Sequence, residues 1–234
     1  MCTSFVHRGS DLIIAMNFDN NGMKYALKMQ NNRFIVYVDG GRGYYPSFGL
    51  NGSRIFANNL LVDSNGKGLY KRPAKDRTHT SKLITDLFDG VIPAGEIDEY
   101  LCRTEVVNTP DFSTHVMICD NNGNGYVVEP GRGIIRNPAN ESSSFILSNF
   151  SLYDYHETGI LAGSGSERYQ IAENLLQNSA ELSVEHAFEI LDAVKQTQGE
   201  WRTAFSFVYS RNQAAVTYCV DGNFTNLQSY YFAS

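Results

Sequence analysis

The sequence predicts an α+β fold in which two antiparallel sheets pack together with helices on the outside. Three observations carry this. Short apolar runs separated by turn residues fill the first part of the chain, the pattern of antiparallel strands. Two apolar patches with helical spacing follow, then strands, then two more helical patches, and the chain closes on a strand pair. No internal repeat, linker or low-complexity segment interrupts this order, so the 234 residues are expected to form one domain, 1–234, able to bury a sizeable core without disulfides.

Each element has its own warrant. Residues 4–7 and 12–18 flank Arg8-Gly9-Ser10-Asp11 as a hairpin, and residues 33–38 and 55–62 read as further strands. Thr80 or Ser81 is the expected cap of a helix bearing Leu83, Ile84, Leu87 and Phe88; Ile97, Tyr100 and Leu101 mark a second. Strands return at 114–119, 126–129 and 144–148, with Asn121 to Gly125 as a turn. Ser164-Gly165-Ser166-Glu167 has the form of a capping box ahead of Tyr169, Ala172, Leu175 and Leu176. Ser183 precedes Val184, Ala187, Phe188, Leu191 and Val194, and residues 203–209 and 214–220 pair around Ser210-Arg211-Asn212-Gln213.

Composition mainly excludes functions. Lysine plus arginine total 19 against 25 aspartate plus glutamate, a net charge of −6 with no basic stripe, so nucleic acid is not an expected partner. The longest apolar stretches, 12–16 and 145–147, fall far short of the ~18 residues a membrane helix needs. Cys2, Cys102, Cys119 and Cys219 show neither C-x-x-C nor zinc-ligand spacing, and the N-terminus lacks the basic, then apolar, pattern of a signal peptide; a reducing cytoplasm is the expected compartment. The N-x-[ST] sequons at Asn51, Asn140, Asn149 and Asn223 carry no weight without secretion.

Several motifs dissolve on inspection. Asp120-x-Asn122-x-Asn124-Gly125 imitates a calcium loop, but Gly131 stands where a bidentate glutamate is required, so it reads as a turn. The Asp39 to Gly43 and Gly163 to Ser166 stretches lack a phosphate-binding context and read as turn and cap glycines. His7, His79, His115, His156 and His186 have no metal-ligand spacing, so no metal is expected, and no local motif supports a papain-like pairing of cysteine with histidine. Arg168 reads by default as a solvated first-turn arginine and Asn149 as a strand-end asparagine bonding its own backbone.

Cys2 is different in kind. Removal of the initiator methionine ahead of a small residue would leave a thiol and a free α-amine on one residue. An α-amine, with a pKa of ~7.7 to 8.0, suits a general base, and the thiol is the strongest common nucleophile. Small residues are also common at position 2 without any function, so the address alone does not decide.

Met1-Cys2-Thr3, followed by a hairpin and Asn17-Phe18-Asp19, resembles the M-C-T opening and R-N-x-D of the choloylglycine hydrolase family, the bile-salt hydrolases and penicillin V acylases. In the same order come Asn51 to Leu61, Ile118-Cys119-Asp120 through Val127-Val128-Glu129, Leu147-Ser148-Asn149, Ser166-Glu167-Arg168-Tyr169, and Arg202 to Ser206 with Tyr209. The resemblance spans nearly the whole chain and implies the N-terminal nucleophile hydrolase fold, an αββα sandwich of two antiparallel sheets between helix layers.

The resemblance also implies roles. Cys2 becomes the nucleophile and its α-amine the base; Asp19 holds the amine; Asn149 donates its side-chain amide to the oxyanion, assisted by a main-chain N–H at Leu61; Arg168 favours the ionised thiol. Met16, Asn17 and Asn59 are the candidates for the substrate pocket. The implied reaction is hydrolysis of a linear amide C–N bond through a Cys2 thioester, with no metal or organic cofactor. Its expected partner is a small-molecule acyl amide, on an N-acyl amide, penicillin V or bile-salt pattern.

Two departures bear on this. Met16 stands where the family has an active-site arginine, and only 19 positions separate Asn149 from Arg168, where bile-salt hydrolases carry an insertion that helps assemble their tetramer. A linear N-acyl amide with an apolar acyl group is therefore the favoured substrate. An acyltransferase using the same thioester, and a catalytically inactive binding protein on this fold, stay open, as does a homo-oligomer.

Overall fold

The computed structural model describes residues 1–41, 43–179 and 181–233. Arg42, in the glycine-rich stretch read as a turn, lies outside the described residues. Along the chain, β1 (Thr3–Arg8) and β2 (Leu12–Asn20) form a hairpin, followed by β3 (Tyr25–Gln30), β4 (Arg33–Asp39), β5 (Tyr44–Leu50) and β6 (Phe56–Leu61). A short β7 (Arg77–His79) leads into α1 (Thr80–Phe88) and α2 (Ile97–Arg103). Then come β8 (Glu105–Val107), β9 (Thr114–Cys119), β10 (Gly125–Glu129), β11 (Gly133–Asn137) and β12 (Ser144–Leu147). Three helices, α3 (Leu152–Thr158), α4 (Ser166–Gln177) and α5 (Val184–Ala193), precede the closing strands β13 (Arg202–Ser210), β14 (Ala215–Val220) and β15 (Gln228–Tyr231). The fold is α+β with two large antiparallel sheets, as expected from the order of apolar runs.

The chain divides into two compact units. The first comprises residues 1–22, 138–150 and 163–234 and contains a six-stranded sheet in the order β12-β1-β2-β13-β14-β15. Register puts Thr3 opposite Asn17, Phe5 opposite Ala15 and His7 opposite Ile13. Because side chains alternate across a strand, these residues share one face with Ser206 and Val208 of β13. The helices lie on that face: Asn17 Nδ2 donates to the Leu191 carbonyl of α5 at 2.7 Å, and Thr3 accepts from Arg168 of α4 at 2.8 Å. The opposite face is apolar and buried, with Val6, Ile14, Met16, Phe18, Phe205 and Phe207 all at most 4% exposed. A strand buried on both faces reads as a continuous apolar run, and Leu12 to Met16 is one.

The second unit comprises residues 23–137 and 151–162, with a seven-stranded sheet in the order β11-β10-β9-β6-β5-β4-β3. Leu83, Ile84, Leu87 and Phe88 of α1 and Ile97 and Leu101 of α2 bury against Ile35, Ala57, Val116, Ile118 and Val128. Gly49 fits where β5 crosses close to β4: its φ is +148°, and a Cβ there would collide with the main chain at Phe34 and Ile35. The Asp120 carboxylate is consumed by its own turn, taking the Asn122 and Asn124 N–H groups at 2.8 Å each, which is the turn reading of the calcium-like motif.

Two expected caps are corrected. Helix α1 is capped by His79, whose Nδ1 accepts from Lys82 N at 3.2 Å; Thr80 is already helical and its hydroxyl pairs with Thr114. Helix α4 begins at Ser166 after Gly165, which is left-handed, so Ser164 does not cap it. Ser183 caps α5 as expected, accepting from His186 N. Helix α3 was not expected because only Leu152 of it is buried; Ser151 caps it and left-handed Gly159 closes it, a helix defined by its ends. Strands β3 and β15 are half-exposed edges, and Pro46 of β5 sits next to a register shift against β4. Among the described residues no helix is long and apolar enough to cross a membrane.

Candidate active site

The first unit gathers four distant stretches at the start of β1. The β1–β2 hairpin brings residue 2 alongside Asp19 near the end of β2. Asn149 follows β12, which pairs with β1, and Arg168 lies in the first turn of α4. Opposite Asp19, the register of β13 shifts between Thr203 and Phe205, a bulge that leaves Thr203 beside the carboxylate.

Cys2 is 6% exposed. Its main-chain N–H donates to Asn149 Oδ1 at 2.7 Å, and its Sγ lies 3.9 Å from the Asp19 main-chain oxygen. The Met1 ammonium also donates to that oxygen, at 3.3 Å. Asp19, fully buried, takes the Thr203 hydroxyl on Oδ1 at 2.6 Å; on Oδ2 it takes Gln196 Nε2 at 2.6 Å and Arg168 Nη1 at 3.2 Å. Arg168 is a hub rather than a solvated arginine: its side chain is 11% exposed, and it also reaches Thr3 Oγ1 at 2.8 Å and Asn149 Oδ1 at 3.0 Å.

The close packing over α4 explains Gly165. Its φ is +78°, and a Cβ would overlap Ser148 Oγ and the Arg168 guanidinium. Ser148 Oγ in turn donates to the Gly165 carbonyl at 3.0 Å, and Tyr169 packs edge-on against Phe150 at 5.1 Å. The residues flanking Asn149 and Arg168 thereby fix both.

Burial governs the ionisation of the cluster. It pushes the Cys2 thiol up to about 11, against the pull of the nearby ammonium. It lowers the Met1 amine, and it raises the Asp19 carboxyl although the Thr203 hydroxyl and the Arg168 charge oppose it. Burial likewise lowers Arg168, with Asp19 opposing. A cleft of about 500 Å³ borders the cluster on the α4 side, with Met1, Arg168, Lys195 and Gln196 on its wall.

Cys2, Asp19, Asn149 and Arg168 therefore come together. Met16 is fully buried, on the sheet face opposite the helices. Both ends of the Asn17 amide are engaged, one by Leu191 and the other by the Ser206 hydroxyl at 2.7 Å. Asn59 and Leu61 belong to the second unit, on β6, where Asn59 Nδ2 donates to Ser81 of α1 at 3.3 Å. Sequence reasoning missed Gln196 and Thr203 as partners of Asp19. Thr203 sits within the Arg202–Ser206 motif, whereas Gln196 lies in an irregular segment with no signal of its own. Among the described residues no group of acidic, histidine and cysteine side chains is arranged to hold a metal ion.

No protein-family model and no curated protein matches the sequence. Solved structures do. Two variants of conjugated bile acid hydrolase from Clostridium perfringens superpose with TM-scores of 0.74 and 0.72 at 12% and 13% identity, covering 99% and 98% of this chain and 92% of each of theirs. Penicillin V acylase from Agrobacterium tumefaciens gives 0.65 at 16% identity, over 94% of this chain and 83% of that one. The Caenorhabditis elegans ortholog of N-acylethanolamine-hydrolyzing acid amidase gives 0.64 at 14% identity, over 99% and 100%. With nearly the whole length aligned in each case, the chain has the fold of the N-terminal nucleophile hydrolases, the one that its resemblance to the choloylglycine hydrolases implied.

Proposed function

We propose that the chain is a cysteine-dependent hydrolase of linear amides that acts, once Met1 is removed, through a Cys2 thioester. The observation that carries this reading is the convergence on residue 2 of Asp19, Asn149 and Arg168, three polar groups far apart in sequence and buried together. A buried cluster of charges and amides costs folding energy, so its concentration around one thiol is what a reaction site requires and a core does not.

The mechanism follows from the atoms present. The Cys2 sulfur attacks the amide carbonyl carbon while its proton passes to the Cys2 α-amine. The side-chain amide of Asn149 faces the developing oxyanion. Collapse of the tetrahedral intermediate expels the amine, which takes the proton back, and leaves an acyl thioester. Water, losing its proton to the same α-amine, then releases the carboxylic acid and frees the thiol. The substrate is an N-acyl amide with an apolar acyl group, a class that takes in the conjugated bile acid, penicillin V and N-acylethanolamine of the neighbours' names. Met16, apolar and fully buried, favours a second reading, an inactive binding protein lacking one cation of the site.

The test begins with mass spectrometry to select protein lacking Met1. That protein is incubated with penicillin V, a glycine-conjugated bile salt and a long-chain N-acyl amino acid, with trapping of the thioester. Release of amine from one of them, lost in Cys2→Ala, is the expected result; equal turnover by Cys2→Ala refutes the mechanism. Acyl transfer to an added amine would make the enzyme a transferase, and binding without turnover would favour the inactive reading.

A further inference from the structure

We propose that Gln196 is a positioning residue of this site, holding the Asp19 carboxylate ionised and aimed at residue 2. This rests on the cysteine hydrolase reading above. Gln196 follows α5 in the segment leading to β13, and its Nε2 reaches two acceptors, Asp19 Oδ2 at 2.6 Å and the Met1 carbonyl oxygen at 3.2 Å. One amide group thus touches both the carboxylate and the bond that precedes Cys2. Once Met1 is gone, both N–H groups serve the carboxylate and the space beside the new α-amine.

The segment that carries Gln196 is itself closed on Thr203. Gln196 N donates to Thr203 Oγ1 and Thr203 N donates to the Gln196 carbonyl, both at 2.9 Å. With its oxygen occupied as an acceptor, the Thr203 hydroxyl turns its single proton to Asp19 Oδ1 at 2.6 Å. The two residues therefore grip the carboxylate by one oxygen each, from a closed loop whose geometry each helps to set. Neither carries charge, so they stabilise the ionised form without competing for it as a second base.

The ionisable groups facing Asp19 are few. Arg168 approaches from α4, the N-terminal amine and the Cys2 thiol from the start of β1, and β13 contributes only the Thr203 hydroxyl. Burial raises the carboxyl, and the Gln196 bond is one of the forces that hold it down. Without that bond the carboxylate protonates at higher pH, and the α-amine loses the anion that orients it.

The test is Gln196→Met, which keeps the length and packing of the side chain and removes the donors. In protein lacking Met1, the acid limb of the kcat/KM profile is expected to move up by about one pH unit. A uniform loss of kcat/KM at every pH, with the limb unmoved in Gln196→Met, would reduce Gln196 to a structural role and overturn the inference. The pH dependence of Cys2 alkylation by iodoacetamide, read on the Cys2 peptide by mass spectrometry, gives the same comparison without substrate. A displaced alkylation profile in a protein that hydrolyses nothing would uphold the Gln196 inference and refute the hydrolase reading; an unmoved profile overturns the inference whatever the turnover.

Discussion

Replacing Arg168 by methionine tests the central cluster most directly. The guanidinium is 11% exposed and the Asp19 carboxylate is fully buried, so water cannot take over the lost contacts. Removing one partner of a buried ion pair costs ~3–5 kcal/mol. Thr203 and Gln196 still hold the carboxylate here, which puts the expected loss near the lower end, about 3 kcal/mol. In a chain of this length that corresponds to a fall in Tm of roughly 6–12 °C. The sign of its pH dependence follows from Asp19. A carboxyl whose folded pKa lies above its unfolded value of ~3.9 costs stability as pH rises from the lower value to the higher. Burial gives Asp19 that raised value and Arg168 restrains it, so the variant raises it further. The deficit is therefore larger at neutral pH and shrinks as pH falls and the Asp19 carboxyl takes up its proton. Thermal melts followed by circular dichroism at pH 7.5 and pH 4 measure it. A loss under about 2 °C at pH 7.5, or an equal loss at both pH values, would refute the reasoning.

Three further outcomes are expected. Protein retaining Met1, with its thiol pushed up to about 11, holds a very small thiolate fraction at pH 7.5, and Cys2 in protein lacking Met1 is expected to react with iodoacetamide at least about tenfold faster. Gly165→Ala forces a side chain into a left-handed position and against Ser148 and Arg168; a loss of about 2 kcal/mol in chemical denaturation, with slower Cys2 alkylation, checks it. Glu129, fully buried in the second unit, holds His115 Nδ1, the Ser151 hydroxyl and Leu152 N, and those bonds keep its carboxyl below the usual value despite burial. Its stabilisation is present at neutral pH and lost as pH falls through the depressed folded value, so Glu129→Gln is expected to lower stability by about 2 kcal/mol at pH 7 and by less at pH 3, measured as Tm.

The elements legible in the sequence are those with an unbroken buried run or a regular apolar face. β9 was read to the residue because every position in Thr114–Cys119 is buried, and α5 because Ser183 caps a helix with a regular apolar face. What escaped was determined by partners remote in sequence. An edge strand such as β3 earns its place by pairing with β4 rather than by its own pattern, and α3 by its two ends. The caps failed for a related reason: local chemistry offered Ser164, while the packing of Arg168 and Ser148 demanded a residue without Cβ one position later. In the site, Cys2, Asp19, Asn149 and Arg168 were found through motif order, whereas no motif marks Gln196, whose role arises from a loop folding back on Thr203.

The orientation of the Asn149 amide ties these groups into one device. Two donors, Cys2 N and Arg168 Nη2, converge on its Oδ1, which fixes that end of the amide toward the nucleophile. Under the proposed mechanism the first of those donors becomes the α-amine. With one N–H spent on Asn149 Oδ1, the amine keeps a second N–H and a lone pair, while Thr203 and Gln196 grip the neighbouring Asp19 carboxylate. The proposed mechanism requires that lone pair to face Sγ, the atom whose proton it accepts. Arg168 serves both arms, anchoring the amide oxygen with one nitrogen and the carboxylate with another, so it couples the aim of the base to the aim of the oxyanion donor. Methionine at position 16, where the choloylglycine hydrolases that the chain resembles carry an arginine, leaves this orienting network complete.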